Sequence, residues 1–212
     1  MIVAKRMSRN PICVDENDSM RKAMDLLKER EIRHLCVLKE GEKVVGVVSE
    51  RDIKQASPSP ATSLEIREIY YLLDRIKVRQ IMTRRPYTIS PSAPIEEAAL
   101  IMREKKIGCL PVVEEGRLVG ILTETDILDA FIESMGVSGP GYRVELGLPD
   151  RVGMLHEVTK LLLDFDAKIV SVATAGHEEP GKKTLILRLE TRNYKVLKAA
   201  LKKAGYEILS AD

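Results

Sequence analysis

Between residues 20 and 27 the apolar positions Met20, Ala23, Met24 and Leu27 recur at helical spacing, and Ile95, Ala98, Ala99 and Met102 repeat that stripe. A short extended segment precedes each stripe, Pro11–Val14 or Pro86–Ile89, followed by a polar stretch able to cap a helix, Asn17–Ser19 or Ser90–Ser92. Two β-rich runs then flank a tight turn, Glu40-Gly41 or Glu115-Gly116, as in a hairpin. The second run ends at Gly46–Asp52 (GVVSERD) or Gly120–Asp126 (GILTETD) and leads into another helix. The pattern thus predicts two β-α-β-β-α units. Between them lies a Ser/Pro-rich stretch, 56–63, and an amphipathic helix is predicted over Leu64–Ile76.

The two units are copies. A shift of 75 residues sets Met7 on Met82, Pro11 on Pro86, Ala23 on Ala98, Ile32 on Ile107, Leu35 on Leu110 and Gly41 on Gly116. After that turn the shift is 74, and it sets Gly46 on Gly120, Glu50 on Glu124, Asp52 on Asp126 and Ile53 on Ile127. One residue lost at a turn, with register kept on both sides, is the mark of a duplicated structural unit. A single unit would expose a wide apolar sheet face. Two packed face to face hide it and create two symmetric clefts.

The last third has a different rhythm. After the glycine- and proline-rich break at 135–141 (MGVSGPG), the pattern predicts a strand (Tyr142–Leu148), a helix (Met154–Phe165), two β-rich runs (Ala167–Ala175, Thr184–Glu190), a helix (Tyr194–Ala204) and a strand (Glu207–Ala211). That is one ferredoxin-like βαββαβ unit. The fold class is therefore mixed α/β (α+β), a pseudo-two-fold pair of repeats plus a βαββαβ domain. The expected boundaries are 1–55 for the first repeat, 56–78 for the linker helix, 79–134 for the second repeat and 142–212 for the last domain.

Composition narrows the function classes. Hydrophobic residues make up 44% and charged residues 31%, enough to build packed cores. The 34 basic and 32 acidic side chains nearly cancel and form no basic stripe, so a nucleic-acid partner is not expected. No apolar stretch approaches the ~18–20 residues of a membrane span, and MIVAKRMSR has no signal-like apolar region. Cys13, Cys36 and Cys109 are odd in number and widely spaced, which argues for reduced thiols filling core space in a cytoplasmic protein, with no zinc site. His34, His156 and His177 share no metal-ligand spacing, and no Ser/His/Asp or Cys/His set stands out.

The Leu110-Pro111-Val112 strand and the two glycine-to-aspartate endings resemble a tandem pair of cystathionine-β-synthase (CBS) domains over roughly residues 1–133. That resemblance implies a non-catalytic regulatory module binding an adenosine-containing ligand such as AMP, ADP, ATP or S-adenosylmethionine. Asp52 and Asp126 suit the two adjacent ribose hydroxyls, and Ser49 and Thr123 can donate to ribose or phosphate oxygens near a helix N-terminus. Adenine would lie along Cys109, Leu110 and Pro111, with Thr88 matching the family's early threonine at the pocket edge. The copies differ. Cys13 and Cys36 stand where the second copy has Thr88 and Pro111, whereas Arg51 replaces Thr125, and Arg33 and His34 lie on the equivalent strand. The nucleoside is therefore expected in the second cleft, with the basic groups of the first copy reaching a phosphate tail.

Within residues 142–212 the turn Leu148–Leu155 (LPDRVGML) resembles that of an ACT domain. The resemblance implies sheet pairing between subunits, hence a homodimer, and an amino-acid site in which the Gly153 amides meet a carboxylate and Asp150 faces an amino group. The whole order resembles the acetoin-utilisation B-type proteins, whose regulated partner the residues leave unnamed. Plainer readings stand beside these. Ser-x-x-Asp or Thr-x-x-Asp before an apolar run is also a helix capping box, and Gly153 also suits a tight turn. The segment 176–184 (GHEEPGKKT) falls one residue short of a phosphate-binding loop and precedes a strand, where such a loop needs a helix. An enzyme of unrecognised type and an oligomerisation module with empty clefts are the rival functions.

Overall fold

A computed structural model describes residues 1–41, 43–58 and 65–211, the side chains of Ile66 and Ala211 excepted. Residues 59–63 of the Ser/Pro-rich stretch, and Leu64 at the start of the expected linker helix, lie outside the described residues. Two compact units divide the chain, Met1–Leu128 and Asp129–Asp212.

The first unit begins with a 3₁₀ turn (Val3–Lys5), β1 (Ser8–Arg9) and β2 (Cys13–Asp15). There follow α1 (Met20–Glu29), β3 (His34–Lys39), β4 (Lys43–Ser49), α2 (Glu50–Ala56), α3 (Ile66–Arg75), α4 (Val78–Ile81) and β5 (Thr83–Arg84). The second copy supplies α5 (Ile95–Lys105), β6 (Cys109–Glu114), β7 (Arg117–Thr123) and α6 (Glu124–Ser134). α6 continues across the division between the units.

Local chemistry explains the elements. Ser19 caps α1 by accepting from the Lys22 amide at 3.2 Å. Both hairpins turn through paired left-handed residues, Glu40-Gly41 (φ 54° and 76°) and Glu115-Gly116 (φ 48° and 80°), a geometry that matches strand twist. Both carry a register shift at the same place, Val37/Leu38 and Val112/Val113. The duplication thus extends to an irregularity. The second copy's leading segment, 86–89, contributes a single parallel bridge from Ile89 to Val112, where the first has β2 beside β3.

Two pairings are not local. β5, at the start of the second copy, adds to β4 of the first, and β1, at the start of the first copy, adds to β7 of the second. The sheets are therefore β2-β3-β4-β5 and β1-β7-β6. Gly46 and Gly120 admit these crossing strands. A Cβ on Gly46 would sit 2.5 Å from Met82 Sδ and 3.0 Å from the Thr83 carbonyl, and one on Gly120 2.6 Å from Met7 Sδ and 3.0 Å from the Ser8 carbonyl.

Strand alternation splits the cores. Leu35, Val37 and Val48 face the helices in one core with Met20, Ala23 and Leu27, and Leu110, Val112 and Leu122 do so in another with Ala98 and Met102. The opposite sheet faces meet in a smaller cluster of Cys36, Val47, Cys109 and Ile121, flanked by Cys13 and Leu118. Burial pushes all three free thiols up, Cys109 to about 12, so they pack as small hydrophobes.

The second unit contains β8 (Tyr142–Pro149), α7 (Met154–Asp164), β9 (Lys168–Gly176), β10 (Lys182–Glu190), α8 (Tyr194–Lys203) and β11 (Glu207–Ala211). Its antiparallel sheet runs β11-β8-β10-β9, the predicted βαββαβ order. Val144, Leu146, Leu148, Leu185, Leu187 and Leu189 line one face, sealed by Val158 and Leu162 of α7 and Leu197 and Leu201 of α8.

Candidate functional site

Two clefts open in the first unit, one of about 810 Å³ beside Asp52 and one of about 560 Å³ beside Asp126. Both lie within the ~300–1,000 Å³ typical of small-molecule sites.

Each carboxylate closes a capping box. Asp52 Oδ2 accepts from the Ser49 amide at 2.8 Å and the Ser49 hydroxyl at 2.6 Å, and Asp126 Oδ2 accepts from the Thr123 amide and hydroxyl, both at 2.7 Å. The capping reading of the motif is therefore real. It uses one oxygen only. Neither Asp52 Oδ1 nor Asp126 Oδ1 has a hydrogen bond among the described residues, and both aspartates line open clefts. Capping and holding a ligand are compatible here, because one oxygen anchors the side chain while the other remains presented.

The clefts mix the copies. The Asp52 cleft combines Ser49, Arg51 and Asp52 of the first copy with Arg84, Arg85 and Tyr87 from the start of the second, and with Lys106–Cys109 and Glu124. The Asp126 cleft combines Thr123, Thr125 and Asp126 with Ser8–Ile12 and Glu31–His34 of the first copy. Arg33 and His34 line both. Thus Cys109 sits opposite Asp52 rather than Asp126. Two residues of the expected adenine wall, and the expected pocket-edge threonine, line neither cleft. Leu110 is fully buried on the helix-facing side of β6, Pro111 is buried, and Thr88 is exposed. Alternation along β6 carried the signal for Leu110, since its neighbours in period two are core residues.

Several lining groups escaped sequence reasoning: Arg84, Arg85, Tyr87, Lys106 and Gly108. Gly108 is the counterpart of Arg33 under the 75-residue shift, and its missing side chain leaves room for the His34 ring, 3.1 Å from where a Cβ would stand. Burial, then the Arg33 charge, lower the His34 pKa, against the raising pull of Glu124 and Asp52. Both effects favour the neutral ring. Five cations (Arg33, Arg51, Arg84, Arg85, Lys106) and three carboxylates (Glu50, Asp52, Glu124) line the Asp52 cleft. The Asp126 cleft has two of each, Arg9 and Arg33 against Glu31 and Asp126.

In the second unit Gly153 has φ 92° at the start of α7, a conformation that favours glycine, and the space beside it is open. The Asp150 carboxylate is engaged by Lys183 Nζ at 3.2 Å. Lys182, in the stretch that falls short of a phosphate loop, is paired with Glu179 at 2.7 Å and Glu207 at 2.9 Å. Among the described residues no cluster of three or more His, Cys, Asp or Glu could hold a metal, and no helix is long and apolar enough to cross a membrane.

Family models agree with this architecture. The CBS domain model matches residues 3–59 and 78–133, and a model of the TTHA0829-like ACT domain matches residues 140–211. The chain belongs to the CBS-domain family. A CBS domain-containing protein of Dictyostelium discoideum is 31% identical over 134 residues, 63% of this chain and 92% of its own length. An uncharacterised Methanocaldococcus jannaschii protein is 32% identical over 155 residues, covering 62% of this chain and 92% of its own. Among solved structures, a protein of Vibrio cholerae assigned to acetoin utilisation (AcuB) has a TM-score of 0.53 at 28% identity, covering 65% of this chain and 95% of that one. The CBS domain pair of MJ0100, in complex with 5′-methylthioadenosine and S-adenosylmethionine, has a TM-score of 0.52 at 29% identity, covering 62% and 95%. CBSX2 in complex with AMP has 0.51 at 28%, covering 62% and 96%. This CBS pair followed by an ACT domain accordingly has the mixed α/β fold that its pattern predicts.

Proposed function

We propose that this protein is a non-catalytic sensor whose CBS pair binds a phosphorylated adenosine, AMP, ADP or ATP, with its principal site in the Asp52 cleft. The observation that carries the reading is the composition of that cleft. A carboxylate with an uncommitted oxygen, a half-exposed tyrosine and an excess of cations share one cavity. Asp52 Oδ1 accepts from the ribose diol, Tyr87 offers a ring face to adenine, and Arg51, Arg84 and Arg85 meet phosphate oxygens. The excess of positive charge favours this cleft over the Asp126 cleft for an anion, in contrast to the placement expected from sequence. The adenosine ligands of MJ0100 and CBSX2 support the ligand class.

The ACT domain is read as the dimerising element. Ile169 and Val172 stand exposed on β9, an edge strand of the sheet, and would be covered by a second copy. An amino acid bound at Gly153 would require Asp150 to leave Lys183.

ADP at 100 times its Kd should stabilise the protein by about 2.7 kcal/mol, a melting rise of roughly 5–10 °C at this chain length. AMP, ADP, ATP and S-adenosylmethionine all leaving the melting point unmoved at millimolar concentration would sink the reading. ADP recovered unchanged after incubation agrees with a sensor, whereas turnover contradicts it. Light scattering on the same samples should report a dimer, and a monomer at micromolar concentration removes the dimerising role.

A further inference from the structure

Two residues belong to both clefts. Among the described residues only Arg33 and His34 line each of them. Their counterparts in the second copy are Gly108 and Cys109, so no guanidinium stands at the matching place and the duplication is broken where the clefts meet. The Arg33 backbone is pinned, its carbonyl accepting from the Glu50 amide at 3.0 Å. Its side chain is exposed and crosses to the second copy, where Nη2 donates to Thr125 Oγ1 at 2.8 Å. Thr125 lines the Asp126 cleft only.

We infer that Arg33 is a shared cation for which the two clefts compete, so that an anionic ligand in one weakens anion binding in the other. The inference rests on the nucleotide reading above and adds to it how the two sites communicate. The charges decide the direction. Without Arg33 the Asp52 cleft still has four cations against three carboxylates, whereas the Asp126 cleft keeps only Arg9 against Glu31 and Asp126. A phosphate that draws Arg33 toward the Asp52 cleft therefore leaves a net negative charge in the other, which then repels a second phosphate but tolerates an uncharged nucleoside. The Thr125 hydroxyl is the latch. It holds the guanidinium on the Asp126 side, and any ligand in the Asp52 cleft must release that hydrogen bond before using the charge.

The test is a double-mutant cycle on the full chain, read as ADP affinity by calorimetry in an Asp126→Asn background, where the Asp52 cleft is the site observed. The amide of that variant retains an oxygen to cap α6. Thr125→Val, a change at an exposed position outside the Asp52 cleft, should tighten ADP by roughly two- to tenfold, the worth of one ordinary hydrogen bond. Combined with Arg33→Ala, the same change should have no effect. Equal ADP affinity with and without Thr125→Val while Arg33 is present overturns the latch, even though ADP still binds. ADP that binds none of these folded proteins overturns the nucleotide reading, and the coupling with it.

Discussion

Asp52→Ala is expected to weaken ADP binding about 100-fold while lowering the melting point by only a few degrees. The carboxylate would accept from two ribose hydroxyls, and hydrogen bonds to a charged group are worth about 1.5–3 kcal/mol each, so losing both removes two orders of magnitude. The fold loses less, because the capping role through Ser49 is worth about 1 kcal/mol. Calorimetry and thermal melting on one sample separate the effects. Asp52→Asn keeps an oxygen for the cap, so it should restore the melting point more fully than it restores affinity. If alanine costs stability and leaves ADP affinity within twofold of the wild type, Asp52 is a helix cap and nothing more.

Gly120→Val should destabilise the CBS pair by about 3 kcal/mol, roughly 10 °C in melting. The first added carbon already lies 3.0 Å from the Ser8 carbonyl, a backbone atom that cannot swing away, and 2.6 Å from Met7 Sδ. Relief requires β1 to leave β7, which also loosens the seat of Val3, fully buried in the second copy's core. Gly176→Ala is the matched control, since a Cβ there meets nothing within 4 Å, and it should shift stability by less than ~0.5 kcal/mol. Equal melting points for the two variants would mean that the exchanged strand contributes no measurable stability.

Much of the candidate site is legible in the sequence. Asp52, Asp126, Ser49, Thr123, Arg51, Arg33 and His34 were all readable from the duplicated motif, and each lines a cleft. What went astray was their grouping. A repeat read as a self-contained unit puts Cys109, Leu110 and Pro111 with Asp126. The packed pair instead sets Cys109 beside Asp52 and turns Leu110 into the helix-side core. Arg84, Arg85 and Tyr87 were invisible as ligand groups because they belong to the start of the second copy and come to line the first copy's cleft beside the β5–β4 pairing.

The sequence by itself determined the duplication, the order of elements in both units and the capping of each motif helix. All of these follow from interactions within a few residues along the chain: apolar periodicity, paired left-handed turns and side chains reaching amides three positions away. Only the tertiary structure decided that β1 and β5 change places between sheets and that each cleft draws on both copies. It also decided that one arginine stands between the two clefts. These depend on which sheet edges are open and on how two apolar faces meet across the pseudo-two-fold, long-range choices that no local pattern encodes.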